Sequence, residues 1–366
     1  MFKKGKKVFV AMSGGVDSSV SAGILKEQGY DVVGVHMRCY NVDGCAEQDA
    51  EDARRAAETL NIPFYVFDFE QAYKDRVVKY MVDGYKKGIT PNPDVMCNKE
   101  IKFGLFFDKA MAMGADYVAT GHYVRKQATS DKRQVLRVAK DGAKDQSYFL
   151  WTLKPEQIKK SLFPVGNLIK RTQVRKLAKQ YGLPNAEKKD SQGICFLGQV
   201  TLTDFLKQYI PEKRGLVLST AGKTLGEHKG AHYYTIGQRH GLNLSDKRQA
   251  TSDKGYTKPY YVSAKDMKKN TVTVAEGDEN EALYQKEIKL TAVNFIGDKK
   301  QVTSNKVVYA RVRYRQSVQK AVIANLSLVS GRLSLKFDRP VKFVAVGQSA
   351  VFYAKSGEML GGGIIK

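Results

Sequence analysis

The chain is predicted to be an α/β protein, with an N-terminal doubly wound parallel sheet followed by a small central β-rich unit and an all-β C-terminal unit. Three observations carry this expectation. Short apolar runs alternate with amphipathic stretches through the first part of the chain, as a parallel sheet with crossover helices requires. A loop of small residues, Ala11-Met12-Ser13-Gly14-Gly15-Val16-Asp17-Ser18, joins the first apolar run to the first helical stretch. Beyond about Leu206 the helix signals largely stop, and short alternating runs separated by Gly and Lys turns take over.

Taken in order, Val8 to Met12 reads as a buried strand. Ser18 to Gly29 reads as a helix, with Val20, Ile24 and Leu25 on one face and Gly29 as its stop. Asp31 to Met37 is a second strand, and alanines at 46, 50, 53 and 57 mark a helix from Ala46 to Leu60. Pro63 then opens a strand from Phe64 to Phe69, completing a βαβ unit. Tyr73 to Lys87 and Ile101 to Met113 carry helical stripes, and Asp116 to Tyr123 is a strand after Gly114. Further on, Gly215 to Ser219 and His232 to Ile236 read as short strands. The runs VVYARVRYRQ, LSLKFD and SAVFYA have the spacing of a small β-barrel or sandwich. The run KGYTKPYYVSAKDMKKN reads as solvated loop and strand edge, and no internal repeat is present. The boundaries expected are 1–205, 206–285 and 286–366.

Composition narrows the class. An apolar share of 42% with no stretch of 18 consecutive apolar residues excludes a helical membrane protein. The opening MFKKGKKVFVAMSGG has basic residues before an apolar run, but no small-residue cleavage site follows, so it is not read as a secretion signal and a cytoplasmic location is expected. Four cysteines, Cys39, Cys45, Cys97 and Cys195, are too few and too scattered for a disulfide framework. With 61 Lys+Arg against 37 Asp+Glu the net charge is +24. Such a field attracts a polyanion, although a lysine-rich solvated surface would give the same number.

The loop after the first strand is where the chemistry starts. Its glycines let backbone approach a ligand, its N–H groups and serine hydroxyls donate to phosphate oxygens, and the helix N-terminus adds a positive end. No GxxxxGK[ST] lysine is present, so it is not a Walker loop. The second signal is Thr90-Pro91-Asn92-Pro93-Asp94-Val95-Met96-Cys97-Asn98-Lys99-Glu100, a proline-stiffened loop ending at a helix start. There a helix N-terminus and a nearby lysine favour a thiolate at Cys97, whereas an isolated cysteine next to apolar residues is more often core filling. The third is Lys188-Lys189-Asp190-Ser191-Gln192-Gly193-Ile194-Cys195-Phe196, which places another cysteine in a flexible basic loop. Cys39 and Cys45 lack further ligands nearby, and no metal site is expected from them.

SGGVDS resembles the pyrophosphate loop of the N-type ATP pyrophosphatases, which cleave ATP to AMP and pyrophosphate. The motifs SGGVDSSV, TPNPDVMCNKEIKF, ATGHYV, KDQSYFL, KKDSQGICF, TIGQRHGL, RVRYRQ and GQSAVFY follow one another as in the bacterial tRNA-specific 2-thiouridylases of the MnmA type, almost end to end. This resemblance implies an adenine-nucleotide-hydrolase-like first domain and a C-terminal β-barrel that binds tRNA. It implies that Ala11, Met12, Ser13, Gly14, Gly15, Val16, Asp17 and Ser18 bind ATP, with Met37 and Gly121 near the adenosine, and that Asp17 helps hold magnesium. Ala11 stands where the family more often has glycine. Cys195 would carry a persulfide, and Cys97 would be its partner nucleophile, closing a Cys97–Cys195 disulfide after sulfur delivery. Asn92, Pro93 and Asp94 would meet the target base. His122, Lys144, Asp145, Gln146, Arg313, Tyr314 and Gln348 would touch the tRNA, although His122 could equally be a satisfied strand-end histidine and Arg313 an exposed charge on a strand.

The reaction implied is 2-thiolation of the wobble uridine in tRNAs for glutamate, glutamine and lysine, on a base flipped out of the anticodon loop. The C2 oxygen must first be made a leaving group, which adenylation does, and sulfur then attacks C2. Asp94 is the candidate acid or base for the tetrahedral centre. Sulfur would come from a cysteine desulfurase, directly or through relay proteins. The competing expectations are another pyrophosphate-loop tRNA-modifying enzyme, against which the two cysteine motifs argue, and a tRNA-binding protein with a vestigial loop.

Overall fold

In the computed structural model the described residues are 5–40, 42, 44–189, 196–198, 200–242, 244, 258–296, 302–327 and 331–366. Seven strands lie in the first region: β1 (Lys7–Ala11), β2 (Asp31–Arg38), β3 (Phe64–Asp68), β4 (Tyr117–Thr120), β5 (Val124–Ala128), β6 (Gln134–Val138) and β7 (Ser161–Leu162). Five of them form a parallel sheet in the order β3-β2-β1-β4-β7. β5 and β6 make a separate antiparallel hairpin. The central strand β1 reads KVFVA with almost no polar alternation because both of its faces are covered. Val8 and Val10 face one core with helices α1 (Val16–Glu27) and α2 (Cys45–Thr59), while Phe9 and Ala11 face the other. The chain runs outward from β1 to β3 in one direction and from β4 to β7 in the other. The crevice at the carboxyl ends of β1 and β4 is therefore the switch point where such sheets bind ligands.

Two expected helices are built differently from a plain α-helix. Instead of one helix from Tyr73 to Lys87, Glu70–Tyr73 runs into widened π-type turns at Lys74–Val78 and then into Lys79–Lys86. Instead of a helix starting at Ile101, helical backbone begins eight residues earlier at Pro93 as α3 (Pro93–Cys97), passes through wide turns at Asn98–Phe106, and ends in Phe107–Ala112. The early start has a local cause. The Asn92 side chain accepts a hydrogen bond from the Val95 N–H at 3.2 Å, and Pro93 supplies the fixed φ that suits a first helical position.

The central unit is a sheet of β8 (Gly215–Ser219), β9 (Thr224–His228), β10 (Tyr260–Asp266) and β11 (Thr271–Glu276) in the order β10-β11-β8-β9. Its Val217, Val262, Val272 and Val274 join the same apolar cluster as Phe67, Tyr73 and Phe106 of the first region. The strand expected over His232 to Ile236 is a single tight helical turn, Ala231–Tyr233. Ala231, His232, Tyr233 and Tyr234 are buried in succession, and the Tyr233 hydroxyl donates to the Ile210 carbonyl at 2.6 Å, so no face alternates as a strand would need. The run expected as solvated loop and strand edge contains β10, which is the edge strand of this sheet.

The last region closes as a six-stranded barrel of β12 (Tyr284–Phe295), β13 (Val307–Arg311), β14 (Gln319–Ser327), β15 (Arg332–Lys342), β16 (Ser349–Tyr353) and β17 (Met359–Ile365), in the order β12-β15-β14-β13-β16-β17. Barrel, not sandwich, follows from β12. Register shifts at Gln285/Glu287 and at Thr291/Asn294 bend this long strand so that it pairs with β15 along one part and β17 along another. The expected strand through RVRYRQ stops at Arg311. Arg315 takes φ +65°, and the Gln316 side chain accepts from the Val312 N–H at 3.2 Å, turning Arg313 and Tyr314 out of the ladder.

Candidate functional site

The loop after β1 is held from four sides. Ser18 Oγ accepts from the Ser13 N–H at 3.2 Å and donates to the Gly15 carbonyl at 3.0 Å. Asn185 Nδ2 donates to the Gly14 carbonyl and to Ser19 Oγ, both at 2.9 Å. His36, whose pKa burial holds below the usual value, has its Nδ1 3.1 Å from the Met12 carbonyl. Gly14 adopts φ +76°, and a Cβ there would lie 2.4 Å from the carbonyl oxygen of Asp49 on α2. Gly121, just after β4, lies so close to α1 that a Cβ would sit 2.7 Å from the Ser18 nitrogen. Ala11, at the end of β1, Val16 and Ser18 are buried, while Ser13 is exposed. Met37, near the end of β2, is half-buried against the apolar cluster. The outcome is a rigid turn with backbone amides and hydroxyls at the switch point, suited to phosphate.

One change should open this turn. Gly14→Ala combines a left-handed backbone, costing about 1–2 kcal/mol for any L side chain, with a collision against α2. Its expected result is loss of nucleotide binding with the fold retained, read by calorimetric titration with ATP beside circular dichroism.

The second part of the site is α3 and its surroundings. Asn92 caps it, Asp94 lies in its first turn and Cys97 ends it as a free thiol, 4% exposed. Burial raises the Asp94 carboxyl to about 6, with the Lys102 ammonium opposing the shift. His122 is buried, its Nδ1 2.8 Å from Thr120 Oγ1, and its ring stacks near Phe103 and Phe163. Burial first and Lys102 second hold this imidazole well below its usual pKa, so it is neutral at physiological pH.

The barrel completes this corner. Gln348 Nε2 donates to the Thr90 and Pro91 carbonyls at 3.0 Å each, and the Thr90 N–H donates to the Val346 carbonyl at 2.8 Å. The proline loop before α3 is thus held by the barrel, and Gln348 is engaged with protein backbone. Arg313 is half-buried near the Phe343 ring and donates to the Ile236 carbonyl of the central unit. The Tyr314 ring packs on Phe149 at 4.4 Å between centroids. Gln146 exchanges hydrogen bonds with the Tyr123 backbone, 3.0 Å to its side chain and 2.9 Å from its amide. Lys144 is half-buried nearby.

Asp145 is placed where sequence reasoning did not look. It is buried, accepting from the Ala139 N–H and from Ser147 Oγ at 2.9 Å each, and pairs with the buried Arg311 guanidinium of β13. Arg311 also donates to the Tyr353 hydroxyl at 2.7 Å, which lies 3.0 Å from Ser147 Oγ. These contacts point the Asp145 carboxylate into the junction with the barrel, away from any surface. Arg311 itself was missed, being one of three arginines in RVRYR that no pattern distinguishes.

Cys195 lies outside the described residues, as do residues 190–194. The chain on either side is fixed. Arg175 donates to the Ala186 carbonyl and, at 2.6 Å, to the Lys188 carbonyl. Lys188 Nζ bridges Asp49 and Asp52 of α2 at 2.6 Å each. The segment resumes at Phe196, buried against Tyr73 at 5.6 Å between centroids, and the turns that follow Tyr73 pack on α3. The two ends of the Cys195 segment therefore attach to the nucleotide side through α2 and to the Cys97 side through Tyr73.

Among the described residues no group of three or more His, Cys, Asp or Glu side chains could hold a metal ion, and no helix is long and apolar enough to cross a membrane.

Three family models match the chain: a tRNA methyl transferase HUP domain over residues 6–199, a tRNA methyl transferase PRC-barrel domain over 203–276, and an aminomethyltransferase beta-barrel domain over 285–365. Among curated proteins, the tRNA-specific 2-thiouridylase MnmA of Geobacillus thermodenitrificans is 44% identical over 364 residues, covering 98% of this chain and 94% of its own. The protein of the same name from Akkermansia muciniphila is 43% identical, covering 98% of each chain, and that from Proteus mirabilis is 43% identical, covering 99% and 97%. A solved NMN synthetase from Francisella tularensis aligns with 56% of this chain and 73% of its own at 17% identity, with a TM-score of 0.35, a likeness too slight to bear on the fold. With matched models running from the first strand to the last and relatives this similar along their whole length, the chain belongs to the family of MnmA-type tRNA-specific 2-thiouridylases.

Proposed function

We propose that this chain uses ATP to adenylate the C2 oxygen of the wobble uridine in tRNAs for glutamate, glutamine and lysine, and replaces that oxygen with sulfur carried on Cys195. The reading is carried by two chemistries in one chain: a phosphate-suited turn after β1, at the switch point of the sheet, and a capped helix bearing Asp94 and Cys97, in a chain matching 2-thiouridylases end to end. Ala11 to Ser18 bind the triphosphate, and Met37 and Gly121 border the adenosine. Asp17, partly open to solvent in the first turn of α1, offers the hard oxygen donor that magnesium prefers. A magnesium ion there would neutralise charge on the triphosphate.

The C2 oxygen attacks the α phosphorus and pyrophosphate leaves. The terminal sulfur of a Cys195 persulfide attacks C2, and Cys97 attacks the Cys195 sulfur, breaking the S–S bond and leaving a Cys97–Cys195 disulfide. AMP departs with the original oxygen. Asn92, Pro93 and Asp94 position the flipped base. His122, Lys144, Gln146, Arg313, Tyr314 and Gln348 line its approach, while Asp145 acts from beneath by fixing the barrel. The sulfur comes from a cysteine desulfurase or a relay protein, and the enzyme works in the cytoplasm on a polyanion that its net charge of +24 attracts.

Nucleoside mass spectrometry of tRNA incubated with the chain, ATP, magnesium and a sulfur source tests the reading. 2-Thiouridine at the wobble position is expected, and unmodified uridine would overturn it. A carboxyl raised to about 6 is shared between acid and base forms near neutrality, as proton transfer at a tetrahedral centre needs. The rate should therefore bend near pH 6, and Asp94→Asn should remove that bend and cost about 10²–10⁴-fold. A mutant profile that keeps the bend would assign it elsewhere.

A further inference from the structure

The nucleotide turn contains one acid and no lysine. Its acid is already engaged on both oxygens. Asp17 Oδ1 accepts from the Tyr123 hydroxyl at 2.7 Å, and Oδ2 accepts from Lys170 Nζ at 2.7 Å. Lys170 reaches the turn from 153 residues further along the chain, at the start of the wide turns Lys170–Val174 that pack on α1. Its side chain is only 9% exposed, and its ammonium stands 6.0 Å from the centroid of the Tyr123 ring. Its backbone N–H donates to Asp141 Oδ2 at 2.9 Å, which anchors the residue from the far side.

We propose that Lys170 is a triphosphate-binding residue, kept beside the turn by Asp17 and handed to the β- and γ-phosphate oxygens when ATP arrives. The inference rests on the reading of Ala11 to Ser18 as an ATP loop. A mostly buried ammonium needs a counter-charge, and in this structure Asp17 is that charge. When a divalent cation accompanies the nucleotide to Asp17, two cations would share one carboxylate and repel each other. The triphosphate brings the anionic oxygens that relieve this, so Lys170 exchanges one partner for another without losing charge compensation. In Walker loops the loop's own lysine reaches the β and γ phosphates. Here the turn lacks one, and the fold delivers the cation from a distant segment.

The test is calorimetric titration of the full chain with ATP and with AMP, comparing wild type, Lys170→Met and Lys170→Arg, with melting curves as a check on folding. AMP lacks the phosphates that Lys170 would grip. Lys170→Met should weaken ATP binding roughly ten- to a hundredfold and leave AMP binding nearly unchanged, while Lys170→Arg keeps most of the ATP affinity. If Lys170→Met fails to fold because Asp17 is stranded, the double variant Asp17→Asn with Lys170→Met removes that charge and, measured against Asp17→Asn alone, should show the same selective loss. Equal losses for ATP and AMP, or no loss for ATP, would overturn the role of Lys170 while the ATP loop stands. A wild-type chain that binds neither nucleotide would sink the loop reading itself, and this inference with it.

Discussion

Replacing Cys195 by alanine is expected to lower 2-thiouridine formation by about a thousandfold or more, the scale seen when a covalent nucleophile is removed, with tRNA binding unchanged in a filter or gel-shift assay. Cys97→Ala should fail differently. Without the second thiol the sulfur bridge between Cys195 and the base is not resolved, so a tRNA–protein adduct should accumulate and be visible on a denaturing gel. Dithiothreitol attacks the same disulfide sulfur as Cys97 would, and should release thiolated tRNA from the Cys97→Ala adduct while doing nothing for Cys195→Ala. A Cys195→Ala protein that still thiolates would place the sulfur carrier elsewhere. Release by dithiothreitol from both variants would end the division of labour between the two cysteines.

Arg311→Met is expected to destabilise the junction between the first region and the barrel by about 3–5 kcal/mol, because it leaves the Asp145 carboxylate buried without its cation. Both partners are mostly buried, with side-chain exposures of 8% and 4%. The same loss takes one hydrogen-bond donor from each of Tyr353 and Ser147, which share the network. Urea unfolding reads the effect. Adding Asp145→Asn to Arg311→Met removes the stranded charge and should recover part of the stability, whereas a purely tRNA-contacting Asp145 would give no such coupling.

The fold class was legible because its signals are local. The alternation from Val8 to Phe69 and the glycine loop each state their structure within a dozen residues, and β1, α1, β2, α2 and β3 lie within a residue or two of their expected places. The departures have one physical source, which is tertiary contact. A cap and a proline set the start of α3 ahead of the apolar stripe at Ile101. Consecutive burial turns Ala231–Tyr233 into a helical turn. Bulges decide that β12 closes a barrel, a choice between two packings that alternation alone leaves open. At the site, Gly14, Asn92, Asp94 and Cys97 stand out in sequence because each has a residue type the local chemistry needs. Lys170, Asn185, Tyr123 and Arg311 do not, because what makes them matter is a partner more than 100 residues away.

Helix α2 serves two neighbours at once. Its Asp49 contributes a carbonyl against Gly14 and a carboxylate to Lys188, close before the segment that carries Cys195. In the proposed reaction the triphosphate seat and the anchor of the sulfur carrier therefore share one beam, and a substitution that displaces α2 should impair both together.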